Sequence, residues 1–404
     1  MLCGGVTLCV RATPQKVRVM DSRPMRLPAV GVLLVVALAL VAGSAAKAPG
    51  GETTGASPSW RPLPRSPIAG RIAASAVWTG KEVIVWGGVS AGQPRSDGAA
   101  YNPASRTWRR IARSPAGVIG DGGRAAAWTG KGMVVWAGNS PDGPAGGAVY
   151  DPRTDTWRRL PNSPLGSREN YVSAWTGKEL LIFGGNRGDT LATPSAAAVN
   201  PRTGSWRVLK ALAAVRGLIA TGAVWNGRDA FVSGTVRRYP TVIRPIFFAF
   251  DPATGTLRRI SLAKAPVDTE ERGQLNPIAW TGTEVVFSSS ADPLFASTSI
   301  VLYNPTTGAW KKPGAAPCTL PTTGYTQIAW IGDRLVVPCG TNGLQIYNPR
   351  TDGWRTLQPG PSPLNSRGWS AIVWTGRSLI VWSGTVKKPE NPTPADGSSI
   401  TLKG

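Results

Sequence analysis

Seven times along the 404 residues, at intervals of about fifty, a Trp is followed by a short glycine turn: Trp78-Thr79-Gly80, Trp128-Thr129-Gly130, Trp175-Thr176-Gly177, Trp225-Asn226-Gly227, Trp280-Thr281-Gly282, Trp330-Ile331-Gly332 and Trp374-Thr375-Gly376. A fixed period constrains architecture more than any single residue, because each copy must be one supersecondary unit that buries its apolar face against the next. A second signature recurs six times, with Asn/Asp-Pro and an aromatic or apolar residue six positions past the Asn or Asp: Asn102 with Trp108, Asp151 with Trp157, Asn200 with Trp206, Asp251 with Leu257, Asn304 with Trp310 and Asn348 with Trp354. The first copy resolves into four short strands. Strand a runs from Ala73 to Trp78, Thr79-Gly80 closes a hairpin, strand b is Val83 to Trp86, strand c ends at Tyr101, and strand d begins near Trp108 after an Asn102-Pro103 turn. No helix-period segment of useful length lies between strands, which argues against a parallel α/β fold and for an all-β chain.

Gly87-Gly88 after strand b, the Tyr101-Asn102-Pro103 turn and the following Trp108, repeated along the chain, resemble the kelch repeat over residues 60–404. The resemblance implies a seven-bladed β-propeller of four-stranded blades. It also implies a way to close the ring. Trp60 to Leu63 reads as an isolated strand d that completes the last blade, whose own strands end at Trp374, Trp382 and Leu402. The sequence departs from the repeat in one respect, since many kelch repeats carry a His at the start of strand a.

The chain has no His at all. That excludes Ser-His-Asp and Cys-His catalysis, the usual His-containing zinc sites and His-ligated copper or haem. It therefore excludes the copper-radical oxidase chemistry of galactose-oxidase-like relatives of the repeat. Sialidase Asp boxes, calcium-loop spacings and phosphate loops are also missing from the sequence, and no cofactor is expected. With 45 basic against 22 acidic residues the formal charge is +23, which points to anionic surroundings or partners. An anionic glycan or cell-surface polymer, or a protein, is the expected partner; nucleic acid is not.

Arg11, Lys16, Arg18, Arg23 and Arg26 precede an apolar stretch from Leu27 to Ala42 and the small residues Gly43 to Ala46. This reads as a secretory leader over residues 1–46, cleaved after Ala46, with Met25 as an alternative start. The competing reading is an uncleaved N-terminal anchor, since ~20 residues can span a bilayer. Residues 47–59 read as a linker, and the expected location is extracytoplasmic. Cys3 and Cys9 fall in the leader. Cys318 and Cys339 fall at the open end of the hairpin of the sixth repeat and are expected to form a disulfide.

Sixteen of the seventeen Trp take repeat positions and are assigned to packing between blades, each indole burying ~150–250 Å². Trp369, with Tyr325 and Tyr171 at similar places, lies in the segment between strand d and the next strand a, and is a candidate for stacking on a ligand. The residue after the strand-d aromatic is basic in every copy (Arg61, Arg109, Arg158, Arg207, Arg258, Lys311, Arg355), forming a belt that either protects edge strands or attaches to anionic polymer. Ser-Pro-x-x-x-Arg places Arg71, Arg168 and Arg367 ahead of strand a, and Arg124, Arg216 and Arg272 lie in the same segment out of register. These guanidinium groups either satisfy carbonyls of the blades or bind a carboxylate or phosphate. Glu169 is the candidate acid or base, followed by Asp121, Glu270 and Glu271, should the protein be an enzyme on acidic sugars of the mutarotase or epimerase kind. Glu82, Glu179 and Glu284 read as solvated hairpin residues on the opposite face.

Overall fold

The computed structural model describes residues 59–402 except 121–124, 139–144, 188–189, 192–195, 216, 239–241, 267–273, 291–297, 315–327, 339–342, 359–366, 369 and 387–392. Seven sheets of four antiparallel main strands make a seven-bladed β-propeller. Blade 1 runs through Ser75–Trp78, Val83–Trp86, Gly98–Asn102 and Thr107–Ile111, strands a to d, in that spatial order. Blade 2 repeats it with Ala126–Trp128, Met133–Ala137, Gly146–Asp151 and Thr156–Arg159, and blade 3 with Glu169–Trp175, Leu180–Arg187, Ala196–Val199 and Trp206–Val208. Among the described residues the helical structure is one 3-10 segment, Lys210–Val215, which tucks Leu212 and Val215 under blades 3 and 4.

The turns follow from local chemistry. In five blades the Thr after the strand-a Trp accepts from the main chain three residues on, as Glu82 N to Thr79 Oγ1 at 2.8 Å and Ser378 N to Thr375 Oγ1 at 2.9 Å show. The glycine inside each turn sits at φ between 84 and 102°, left-handed space that a side chain resists. In all six Asn/Asp-Pro copies the Asn or Asp Oδ1 accepts from the main-chain N–H two residues later, at 2.8 to 3.0 Å.

Strand a of blade 1 touches strand a of blades 2 and 7, and strand a of blade 4 touches those of blades 3 and 5. Strands a therefore line the centre and strands d the rim. Apolar side chains alternate into seven clusters, each drawn from two neighbouring blades: Val77, Ile84 and Trp86 of blade 1 meet Met133, Val135 and Tyr150 of blade 2, and the last cluster joins blade 7 back to blade 1 through Leu63, Trp382, Val83 and Tyr101. In five blades a strand-d indole hydrogen-bonds back to the segment leading in from the blade before. Trp108 Nε1 donates to Pro64 O at 3.0 Å, Trp157 to Ala112 O at 2.8 Å and Trp206 to Pro161 O at 3.0 Å.

Closure is as the repeat implies. Trp60–Pro62 pairs antiparallel with Gly397–Thr401, placing Trp60 opposite Ile400 and Pro62 opposite Ser398. Leu63 N then donates to Gly397 O at 2.9 Å. The chain's first described strand thus forms the outer edge of the blade that its last strands begin.

Candidate functional site

The loops between strand d and the next strand a hold the arginines of the Ser-Pro-x-x-x-Arg motif. Arg71 and Arg168 are each 1% exposed. Both use the same lock: Nε donates two residues back, to Ala69 O at 3.0 Å and Gly166 O at 3.1 Å, and Nη1 donates sixteen residues on, to Gly87 O and Gly184 O at 3.1 Å. Those acceptors belong to the Gly pair after strand b, where a Cβ on Gly88 would stand 2.5 Å from Ile72 O and one on Gly185 2.9 Å from Arg168 Cδ. The motif's serine makes the preceding turn, with Ile68 N on Ser66 Oγ and Leu165 N on Ser163 Oγ.

Arg71 also pairs with Asp97 at 2.9 Å and lies 6.0 Å from the Trp382 ring. Burial works against the Asp97 carboxylate, but the Arg71 hydrogen bond and charge outweigh it and hold its pKa below the usual value. Burial pulls the Arg168 pKa down to about 10. In this arrangement both arginines bind main chain from inside the blades and present no open guanidinium to the channel mouth.

Tyr171 is also interior. It is 4% exposed, packs edge-on against Trp136 at 4.6 Å, accepts from Gly138 N at 3.2 Å and donates to Trp136 O at 3.3 Å. Glu169 is exposed and pairs through its backbone with Asn186. Arg367 pairs through its backbone with Val386, and its side chain lies outside the described residues. So do Tyr325, Trp369, Cys318, Cys339, Arg124, Arg216, Arg272, Asp121, Glu270 and Glu271. Among the described residues no three His, Cys, Asp or Glu gather to hold a metal, and no helix is long and apolar enough to cross a membrane.

The opposite face, made of the a–b and c–d turns, corrects the expectation for the glutamates. Glu82 and Glu179 are not simply solvated. Arg109 donates Nε and Nη2 to the two Glu82 carboxylate oxygens at 3.1 and 2.8 Å, and Arg207 does the same to Glu179 at 3.1 and 2.7 Å. Arg258 closes on Asp229 at 2.7 Å. The strand period of two explains this, because the acid at the start of strand b, the middle of strand c and the belt residue on strand d share one face of the blade. Most of the belt seen in the sequence is half of a set of ion pairs.

Blades 2, 6 and 7 break the pattern, with Gly132, Arg334 and Ser378 at the acid position; in blade 2 the change opens a cleft. The position of Glu82 and Glu179 is Gly132, so Arg158 faces no carboxylate from its own blade and donates Nη2 to Pro201 O of blade 3. A cleft of about 650 Å³ opens there between blades 2 and 3, with Lys131, Arg158, Lys178 and Arg202 around it and Trp175 and Val149 on its walls. All four cations are exposed. The one acid on the cleft, Asp151, is engaged by Arg153 at 2.9 Å, and that hydrogen bond holds its pKa below the usual value.

The signal for this site was present in the sequence as Lys131-Gly132 where other copies read Lys81-Glu82 and Lys178-Glu179. It became visible only once the cross-strand register had shown what those glutamates do. Compared with known proteins, the chain matches no protein-family model and no curated relative.

Proposed function

We propose that the chain is an exported, kelch-type propeller that binds an anionic glycan without chemical turnover, and that the cleft between blades 2 and 3 is its binding site. The observation that carries this is the concentration of four exposed cations on one cleft whose only acid is already paired. Its volume of about 650 Å³ falls within the ~300–1,000 Å³ of small-ligand sites. An indole and a valine on its walls add the apolar surface that a sugar ring stacks on. The kelch assignment draws on the recurrent Gly pair, the Asx-Pro turn and the strand-d Trp, and export draws on the basic and apolar leader. An enzyme on acidic sugars at the other mouth is the second reading; it draws no support from Arg168, whose guanidinium is enclosed by the blade.

Calorimetry of the full chain with an acidic polysaccharide tests the reading. Binding should weaken steadily with added salt, because the Debye length shrinks from ~10 Å at 0.1 M to ~3 Å at 1 M. Replacing Lys131 and Lys178 together by Ala should weaken it further. Salt-independent binding, or affinity untouched by the double substitution, would remove the proposal.

A further inference from the structure

We infer that the blade 2–3 cleft recognises one hexuronate unit of its glycan, with the sugar's carboxylate taking the place of the glutamate that blade 2 lacks. This rests on the reading of the cleft as a glycan site and says which chemical group is recognised and where. In blades 1 and 3 the belt arginine meets an internal carboxylate through two donors, Nε and Nη2. Arg207 shows that Nη2 can serve its glutamate and a neighbouring proline carbonyl together, since it donates to Glu179 Oε2 at 2.7 Å and Pro252 O at 3.1 Å. Arg158 has the matching contact to Pro201 O, and among the described residues no carboxylate pairs with it. Its donor edge opens onto the cleft as an unfilled half of a bidentate pair.

The wall opposite the guanidinium has changed in step. The strand-c residue across from the belt cation is Ala100, Ala198 or Ala249 in blades 1, 3 and 4, all buried. In blade 2 it is Val149, which is half-buried where its counterparts are covered. A Cβ on Gly132 would stand 2.9 Å from Val149 Cγ1 and 2.7 Å from Tyr150 O, so Gly132 and Val149 exclude the internal acid together. Blade 5 differs again: it keeps Glu284 at the acid position with Leu302 opposite Lys311, and the lysine pairs with Asp352 of blade 6 at 3.3 Å.

Blade 2 is therefore left with a cation, an uncovered apolar floor and the Trp175 indole nearby. A ring with a carboxylate on one edge fits that set. Lys131, Lys178 and Arg202 lie around the mouth, where neighbouring uronates of a chain would pass.

The test uses the full chain and trigalacturonate, with neutral trigalactose and oligoglutamate as comparisons, followed by calorimetry. The parent protein should bind trigalacturonate and bind both comparisons at least about tenfold more weakly. Arg158→Gln should lower trigalacturonate affinity by about tenfold or more. Gly132→Glu with Val149→Ala places the blade 1 residue pair inside blade 2 and should abolish binding, at a cost in melting temperature because the new Cβ still crowds Tyr150 O; Val149→Ala alone should keep binding. If the double variant does not fold, Arg158→Gln decides. Failure of the parent to bind any anionic polymer overturns the glycan reading itself. Binding of acidic polysaccharide that survives Arg158→Gln overturns the carboxylate assignment alone, and tighter binding of oligoglutamate than of trigalacturonate overturns the sugar assignment.

Discussion

Arg71 and Asp97 show how a buried charge becomes structural in this fold. The guanidinium meets three main-chain carbonyls and a carboxylate, joining the entry to blade 1 with the segment before its strand c. Asp97→Asn should lower stability at neutral pH by about 2 kcal/mol, the scale of a hydrogen bond to a charged group. Because the folded-state pKa of Asp97 is depressed, its contribution is present above the unfolded value and is lost as pH falls through the folded one. Parent and variant should therefore converge in acid; a constant gap between their melting temperatures would contradict the pairing. Glu284 has the opposite sign. Burial pushes its carboxyl above the usual range, with Lys311 only partly offsetting this. Its stabilising form is the protonated one, lost as pH rises through the folded pKa. Glu284→Gln should raise the melting temperature at pH 7 and leave it unchanged once the pH is below that carboxyl's titration.

The blade is the element that repeats, and in five of the seven a strand-d Trp hydrogen-bonds to the segment leading in from the blade before. Trp157 Nε1 donates to Ala112 O at 2.8 Å, and its ring lies 5.1 Å from Tyr150 and 5.5 Å from Trp86. Trp157→Phe should keep most of the ring packing and cost about 1 kcal/mol for the lost hydrogen bond, whereas Trp157→Ala should cost about 3–5 kcal/mol through the cavity as well. Denaturant titration of the two variants separates these terms, and equal losses would mean the indole hydrogen bond carries nothing. The blade was readable in the sequence because its signals are local: Thr79 and Asn102 make their turn contacts within three residues. The Ser-Pro-x-x-x-Arg motif was visible, with carbonyl binding as one of its two readings, but which carbonyls it binds was not. Arg71 and Arg168 each reach a carbonyl sixteen residues away, across a hairpin whose register the motif does not encode. The belt misled for a similar reason. A row of arginines reads as surface charge until Glu82 and Glu179 are placed on the same face by pairing.

At the scale of the ring, stability depends on closure. Seven interblade clusters form a cycle, in which Trp60–Pro62 covers the edge of Gly397–Thr401 and Leu63 enters the cluster shared by blades 7 and 1. Removing residues 59–66 should lower the melting temperature, broaden unfolding and promote association through the uncovered strand; scanning calorimetry and light scattering check this, and an unchanged transition would contradict it. The same ring disperses most of its belt charge in internal pairs and leaves blade 2 with Arg158 turned to the cleft. The Nε–Hε resonance of Arg158, followed by NMR during addition of trigalacturonate, tests that asymmetry most directly. It should move downfield toward the positions of Arg109 and Arg207, which already hold carboxylates, while those two stay still. An Arg158 signal that does not move as the sugar binds would contradict the account.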